Sequence, residues 1–452
     1  MINTLYLPEL REMLAAQDVA ELQEFCTALH AGRTAEFMEG LTPDEAWAVL
    51  QAADRKTRSE IFVYLPEDMQ VAILETCDPK ELSQLIADMP PDDRVDLIKK
   101  ADPVIVEEVL ALVPTKERRD ILRLRAYPEG TAGALMTTEV AFLPETLTVR
   151  EALEEIGRES HDFETIYYIY IVDAEMHLRG LVSARQLVTH ISKPNMLLNE
   201  LMTRDLVTVV ATDDQETVAE KVADFNFLAI PVVDNEQRLV GIITHDDVID
   251  VLQEEATRDA HLAGAVGPLT ETYLATPWLE LTKHRGGWLA LLFGGALLTT
   301  FAMRSFNDKV QEFAWIAWFV PLVISTGGNS GSQSATLMIR ALTTKEISPD
   351  DWRRVVVREL VIGFLLGACL SLIGYFVGCF MAPTFIDALV LPLTIVLVVT
   401  CGTLLGSLLP LLFHRLGFDP ALMSTPFIAG ISDIVGIVLY MNVAGWLLKG
   451  DL

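Results

Sequence analysis

Asp433 is the side chain from which a chemistry can be argued first. It stands in DPALMSTPFIAGISDIVGIVLYM (residues 419–441), an apolar run with no Lys or Arg near the carboxylate. A charge in the middle of a membrane helix costs at least about 2.5 kcal/mol, so the carboxylate must face a cavity, where a cation would offset the cost. Ala429 is one helical turn back and Thr425 two, which puts all three on one face. Pro426 is a place where such a helix can bend. The bland alternative is an Asp hydrogen-bonded to a Ser or Thr of a neighbouring helix, a packing role only.

A second polar group lies in VPLVISTGGNSGSQSAT (residues 320–336), again inside apolar sequence. A Gly-rich polar break at membrane depth must be buried in protein or line a watery path, because unpaired backbone cannot face lipid. Close helix packing explains Gly327, Gly328 and Gly331. It does not explain Asn329 and Gln333, so Gly328 and Asn329 join Asp433 as expected pore or ion-selectivity residues. Glu359 reads as an ordinary membrane-edge acid, in a salt bridge with Arg353, Arg354 or Arg358 or snorkelling outward.

These residues need membrane helices to hold them. Apolar segments long enough to cross a bilayer run roughly over 286–306, 313–342, 355–381, 388–413 and 420–448. Five spans place the two ends of the chain on opposite sides. Lys283, Arg285, Arg340, Lys345, Arg353, Arg354, Arg358 and Arg415 fall on the side of the N-terminal region, against Arg304, Lys309 and Lys449 opposite. The positive-inside rule then predicts cytoplasmic N-terminal domains and an outside C-terminus.

Charge is distributed just as unevenly. Of 34 Lys and Arg and 63 Asp and Glu, eleven bases and ten acids lie from Lys283 onward, which leaves the first 282 residues at a net charge of −30. Such a region repels nucleic acid and attracts divalent cations. Five cysteines form no CxxC pair and imply neither a disulfide framework nor a zinc site. The N-terminus shows no signal-peptide pattern, and no P-loop, Ser-His-Asp pattern or His cluster points to an enzyme.

Residues 1–130 repeat every 24 residues, with LTPDEAWAVL, LPEDMQVAIL, MPPDDRVDLI and VPTKERRDIL beginning at 41, 65, 89 and 113. Asp54, Asp78 and Asp102 open the intervening segments, so each unit reads as two short capped helices and the whole as an α-helical solenoid. Asp92 and Asp96 share one side of a helix, with Asp93 beside them. After a linker at YPEGTAG, two α/β modules are predicted, 131–200 and 201–254. Met136-Thr137 and Met202-Thr203 each open a first strand, and IYIVDAEMHLRGLVSARQLV aligns with IPVVDNEQRLVGIITHDDVI. Residues 246–283 are expected to form a connecting helix between the two halves, 246–264 reading as one continuous stretch of it. Asp247, Asp250 and Glu254 follow one stripe of that helix, and Glu255 with Asp259 forms an (i, i+4) pair.

The two modules resemble a CBS-domain pair, which implies a site for ATP or another adenine nucleotide at Thr244 and Asp247; the first copy has Ser183 and Gln186 there. The whole order resembles the MgtE family of magnesium channels: acidic solenoid, CBS pair, connecting helix, then five-helix α transmembrane domain 284–452 with Pro321, Gly327, Gly328, Asn329, Gly331 and Gln333 in the second span and Ser432, Asp433 and Gly436 in the fifth. That resemblance implies a homodimer in the lipid bilayer of the cell or inner membrane. Its pore would lie on the two-fold axis, with Asp433 of each copy holding hydrated Mg²⁺ near Ala429 and Thr425. It also implies regulatory Mg²⁺ at Glu60, Asp92, Asp96, Asp214, Glu216, Asp247, Asp250, Glu255 and Asp259, closing the pore when the ion is plentiful. Arg258 and Asn226 stand where that pattern has acids. The alternatives are a coupled carrier of Co²⁺ or Zn²⁺, and a membrane-anchored nucleotide-sensing receptor.

Overall fold

The computed structural model describes residues 5–159, 163–269, 273–274 and 276–448. Lys449 lies outside the described residues, as does the side chain of Lys309. The chain divides into two compact units, Met1–Gln253 and Glu254–Leu452.

Among the described residues the first unit opens with ten short helices: α1 (Leu7–Ala16), α2 (Val19–Ala28), α3 (Ala31–Met38), α4 (Pro43–Ala52), α5 (Arg55–Val63), α6 (Glu67–Thr76), α7 (Pro79–Asp88), α8 (Pro91–Lys100), α9 (Pro103–Leu112) and α10 (Thr115–Leu124). The local chemistry sets these lengths. Asp54, Asp78 and Asp102 accept backbone N–H groups at the starts of α5, α7 and α9, while Pro43, Pro79, Pro91 and Pro103 occupy the first helical position, where no amide partner is lost. Beyond α3 each helix packs on the helix two further along, even-numbered on even and odd on odd, giving two stacked rows.

After α11 (Ala132–Leu135), two three-stranded sheets follow. One is β1 (Val140–Pro144), β2 (Thr165–Val172) and β3 (Leu178–Ser183); the other is β4 (Val209–Val210), β5 (Ala229–Val233) and β6 (Leu239–Thr244). In each, the first pair is parallel and the second antiparallel, with a bulge one residue before the end of the middle strand. Helices α12 (Val149–Glu159), α13 (Ala184–Thr189), α14 (Leu198–Leu201) and α15 (Gln215–Phe225) complete the modules, and α16 (His245–Ala263) leaves the second. The core of α1–α10 continues through Met136 and through Val209, Val218, Ile230 and Val248 of the second module, whereas the rest of the first module keeps a core of its own.

The segments expected to open each module's own sheet do otherwise. Thr137 exchanges backbone hydrogen bonds with Ile242 of β6, and Thr203 with Leu181 of β3. Each therefore crosses onto the other module, a choice that strand patterning does not encode because the same alternation serves either sheet. The crossing needs glycine beneath it: a Cβ at Gly241 would lie 2.7 Å from the Thr137 carbonyl oxygen, and one at Gly180 would strike Met202. Gly241→Ala is expected to cost about 1–3 kcal/mol through overpacking, read as a lowered thermal-unfolding midpoint of the detergent-purified chain.

The second unit holds α17 (Trp278–Ser305), α18 (Asn307–Glu312), a 3₁₀ turn at Ala314–Phe319, α19 (Val320–Thr343), α20 (Trp352–Met381), α21 (Val390–Arg415) and α22 (Thr425–Leu447). Two expectations are corrected here. The connecting helix does not run to 283: α16 stops at Ala263 before Gly264, Gly267 and Pro268, and α17 starts after Pro277. Nor does Pro426 bend a span, since it sits in the first turn of α22, where its missing N–H costs nothing. Among the described residues, four helical segments are long and apolar enough to cross a membrane: Trp278–Ser305, Pro349–Met381, Asp387–Arg415 and Thr425–Leu447. The 24-residue α19 has the length but carries too many polar residues to join them.

Candidate ion site and acidic cluster

The polar run of residues 320–336 is not a break. It forms an uninterrupted helix, and its glycines allow close approach: a Cβ on Gly402 of α21 would come within 2.7 Å of the Gly327 carbonyl oxygen. Gly328 does the same toward α22, where a Cβ would lie 3.2 Å from Asp433 Oδ1 and 3.4 Å from the Ala429 side chain. The structure thus brings Gly328, Ala429 and Asp433 together. Thr425, at the start of α22, donates instead to the Ala263 carbonyl at 3.3 Å, and its own carbonyl accepts from Ser332 Oγ. It lies about 12 Å along the axis from Asp433.

Asn329 and Gln333 have the placement that matters. With Ser325 they form an (i, i+4, i+8) stripe of exposed polar side chains on α19, Asn329 donating to Ser325 Oγ at 3.3 Å. Polar groups on a membrane helix are not left against lipid; they face water or protein. No hydrogen bond or ion pair holds the Asp433 carboxylate among the described residues. The packing role, an Asp tied to a neighbouring Ser or Thr, therefore fails at this position.

Glu359 departs from expectation. Its carboxylate accepts from Ser334 Oγ of α19 at 2.9 Å, and its backbone carbonyl accepts from Thr403 Oγ1 of α21 at 3.2 Å, so α20 is tied to both neighbours. Sequence offered no sign of this, because arginines adjacent along the chain point elsewhere around the helix. Ser334 is buried. Glu359→Ala leaves that hydroxyl without a partner, at about 1–2 kcal/mol, whereas Glu359→Gln keeps an acceptor. Thermal stability in detergent is expected to fall for the first variant and to hold for the second.

In the first unit, acids far apart in sequence converge. Asp92 and Asp93 of α8, Glu164 just before β2 and Asp246, Asp247 and Asp250 of α16 act on one another electrostatically. Burial, then the neighbouring carboxylates, push Asp93 and Glu164 each up to about 7 and Asp92 well above the carboxylate range. Asp247 rises to about 6, chiefly through burial, although Thr244 donates to it at 2.7 Å and lowers it in part. Asp92 Oδ1 is buried without a hydrogen-bond partner among the described residues. Asp92, Asp93 and Asp247 are half-buried while Glu164, Asp246 and Asp250 reach the surface, so their mutual repulsion attracts a cation, although among the described residues only Asp173, Glu175 and His177 bring three ligand atoms within 4.8 Å of one another. Arg94, on the same helix as Asp92, is buried, donates to the Met89 carbonyl and lies 3.9 Å from Glu139; its charge acts on Glu139, Glu117 and Asp120 and, of the clustered acids, on Asp92.

The remaining expected sensor residues divide. Asp96 is exposed and lies 3.7 Å from Lys99, at the edge of the cluster. Glu60 stands apart, 3.9 Å from Lys56 on α5. Asp214 caps α15 by accepting the Glu216 N–H, and neither joins the cluster. Glu255 pairs with Arg258 at 3.4 Å. Asp259 is raised by burial and then by Asp419 and Glu255, with Arg258 and Arg340 opposing. Asn226 sits at the C-cap of α15 in the left-handed conformation that Asn tolerates. Thr244 spends its hydroxyl on Asp247, and Ser183 and Gln186 form a capping box. Sequence pattern does not mark Glu164 or Asp419, which carry no local signal, whereas Asp246 lies inside a visible acidic run.

An α-helical acidic region, two like α/β modules and long apolar helices around a carboxylate that is unpaired among the described residues define a membrane transport protein. Residues 320–443 match the family described as a divalent cation transporter, residues 29–130 the MgtE intracellular N domain, and residues 132–193 and 198–254 the CBS domain. The chain is 42% identical over 333 residues to the magnesium transporter MgtE of Thermus thermophilus, covering 72% of each chain. It is 34% identical to that of Enterococcus faecalis over 72% of this chain and 70% of the other. Two solved structures resemble the first unit. The soluble part of a magnesium transporter is 33% identical, with a TM-score of 0.52, and covers 55% of this chain and 97% of that one. The cytosolic domain of the Mg²⁺ channel MgtE in complex with ATP is 34% identical, with a TM-score of 0.51, and covers 54% and 98%. The chain belongs to the MgtE transporter family.

Proposed function

We propose that the chain is a Mg²⁺-selective channel that carries the ion into the cytoplasm down its electrochemical gradient and is closed by cytoplasmic Mg²⁺. The single observation that carries this reading is the unpaired Asp433 carboxylate against Gly328, beside the exposed stripe Ser325, Asn329 and Gln333. In a homodimer, two such faces meet round one axis with five spans per copy, and the stripe borders water instead of lipid. Mg²⁺ gives up its water shell reluctantly and is held by one or two carboxylates plus waters. Two Asp433 side chains therefore suit the hydrated ion. A membrane potential negative inside drives a divalent cation by about 4.6 kcal/mol per 100 mV, so no coupled gradient is needed. The basic residues flanking the spans favour cytoplasmic N-terminal domains.

Regulation follows from the cluster. Asp92, Asp93, Glu164 and Asp247 would hold a regulatory cation, which neutralises carboxylates that otherwise repel. The ion biases the pore only by binding the closed arrangement more tightly than the open one. A relative solved with ATP, together with the buried Tyr170 hydroxyl of the first CBS module, which has no partner among the described residues, supports a nucleotide as a further modulator. The test is Mg²⁺ uptake into liposomes holding the full chain, with no Na⁺ or H⁺ gradient. Flux is expected, and Mg²⁺ on the soluble-domain face is expected to stop it; flux that requires either gradient would replace the channel with a coupled carrier.

A further inference from the structure

Beyond the ion path, we propose that the first turns of α20 bind an anionic phospholipid. Arg353, Arg354, Val357, Arg358, Val361 and Ile362 line an open groove of ≈ 740 Å³ along that helix. All three arginines are exposed. Arg354 is engaged by Asp351 at 3.3 Å, but neither Arg353 nor Arg358 has an ion-pair partner among the described residues. The Arg353 guanidinium lies 5.4 Å from the ring centre of Trp352, itself 43% exposed, a pairing suited to the headgroup level of a bilayer.

The order along the axis defines the occupant. Arg353, Val357 and Val361 form one stripe and Arg354, Arg358 and Ile362 the next, so guanidinium groups give way to branched aliphatics within about 13 Å. An anionic phospholipid has that same sequence of parts: a phosphate for the guanidinium fork, then an acyl chain for the valines, 63% and 54% exposed. The acidic residues of the chain's own soluble unit match the arginines but would leave the aliphatic half uncovered. The proposal rests on α20 spanning the membrane and not on Mg²⁺ being the cargo.

Native mass spectrometry of the full chain in nonionic detergent tests it without any flux measurement. With phosphatidylglycerol and phosphatidylcholine offered equally, retention of phosphatidylglycerol is expected. The double variant R353Q/R358Q should weaken that retention by roughly 10- to 30-fold, while K283Q/R285Q, which removes the same charge elsewhere, should keep it. Equal retention of the two lipids would overturn the site. So would a double variant that binds as the wild type does, a control variant that loses the lipid equally, or displacement of the lipid by inorganic phosphate. Elution of both variants at the wild-type volume on size exclusion separates lost binding from lost folding.

Discussion

Asp433→Ala is expected to reduce Mg²⁺ uptake by more than about tenfold, the factor that follows from each 1.4 kcal/mol of lost ion binding, while leaving the chain folded. The second half of that expectation is what makes the first informative. A carboxylate with no hydrogen bond or ion pair among the described residues contributes nothing to packing, and its insertion into the membrane is costly. Removing it should therefore hold or raise thermal stability. Asp433→Asn keeps the size and polarity but not the charge, and should lose flux almost as fully, since a divalent ion is held by charge and not by shape. Liposome uptake of both variants beside the wild type gives the answer. Unchanged flux and selectivity in Asp433→Ala would move the ion path away from α22 and leave the stripe on α19 to be explained by helix packing alone.

Mg²⁺ should compact the first unit, and the response should fall on Asp92, Asp93, Glu164 and Asp247. At 100 times its dissociation constant the ion adds about 2.7 kcal/mol per independent site, seen as slower limited proteolysis of the soluble part of the full chain. The pH dependence without Mg²⁺ has a definite sign. Asp93 and Glu164 are raised to about 7 and Asp247 to about 6 from unfolded values near 4, so between pH 4 and 7 the folded state binds more protons than the unfolded. Their stabilisation is complete below about pH 4, is lost as pH rises through 6 to 7, and stays lost above. Proteolysis in chelator should accordingly be faster at pH 8 than at pH 5.5, and Mg²⁺ at pH 8 should reverse the difference. The double variant Asp93→Asn/Asp247→Asn keeps the acceptor for Thr244 and relieves the repulsion; it should resist protease without Mg²⁺ and respond little to the ion. Indifference of the wild type to Mg²⁺ would remove the cluster from any regulatory reading.

Much of this was legible along the chain because it is written in short-range chemistry. Asp54, Asp78 and Asp102 cap helices wherever they stand before them, so the 24-residue period announced paired helices without any tertiary information. Asp433 stood out because its neighbours are apolar, and burial then makes a charge expensive in whatever fold it adopts. The alternation of IYIVDAEMHLRGLVSARQLV and IPVVDNEQRLVGIITHDDVI likewise set two like modules with like register.

What local pattern leaves open is who meets whom. The run Gly327 to Gln333 reads as a break when taken alone, yet it is helix, because Gly402 lets α21 approach so closely that the glycines are packing surface. Thr137 and Thr203 carry strand patterning compatible with either sheet, and only the three-dimensional chain sends each to the other module. Glu359 sits beside arginines in sequence but bonds to Ser334, 25 residues away. The sequence by itself determined the paired short helices, the two modules, four of the apolar spans and the acidity of the N-terminal part, since each follows from neighbours within a turn or a strand. Only the tertiary structure decided that Asp92, Glu164 and Asp247 repel one another in one cluster while Glu60 and Asp214 stand outside it, because repulsion between carboxylates depends on distance in space and not on position along the chain.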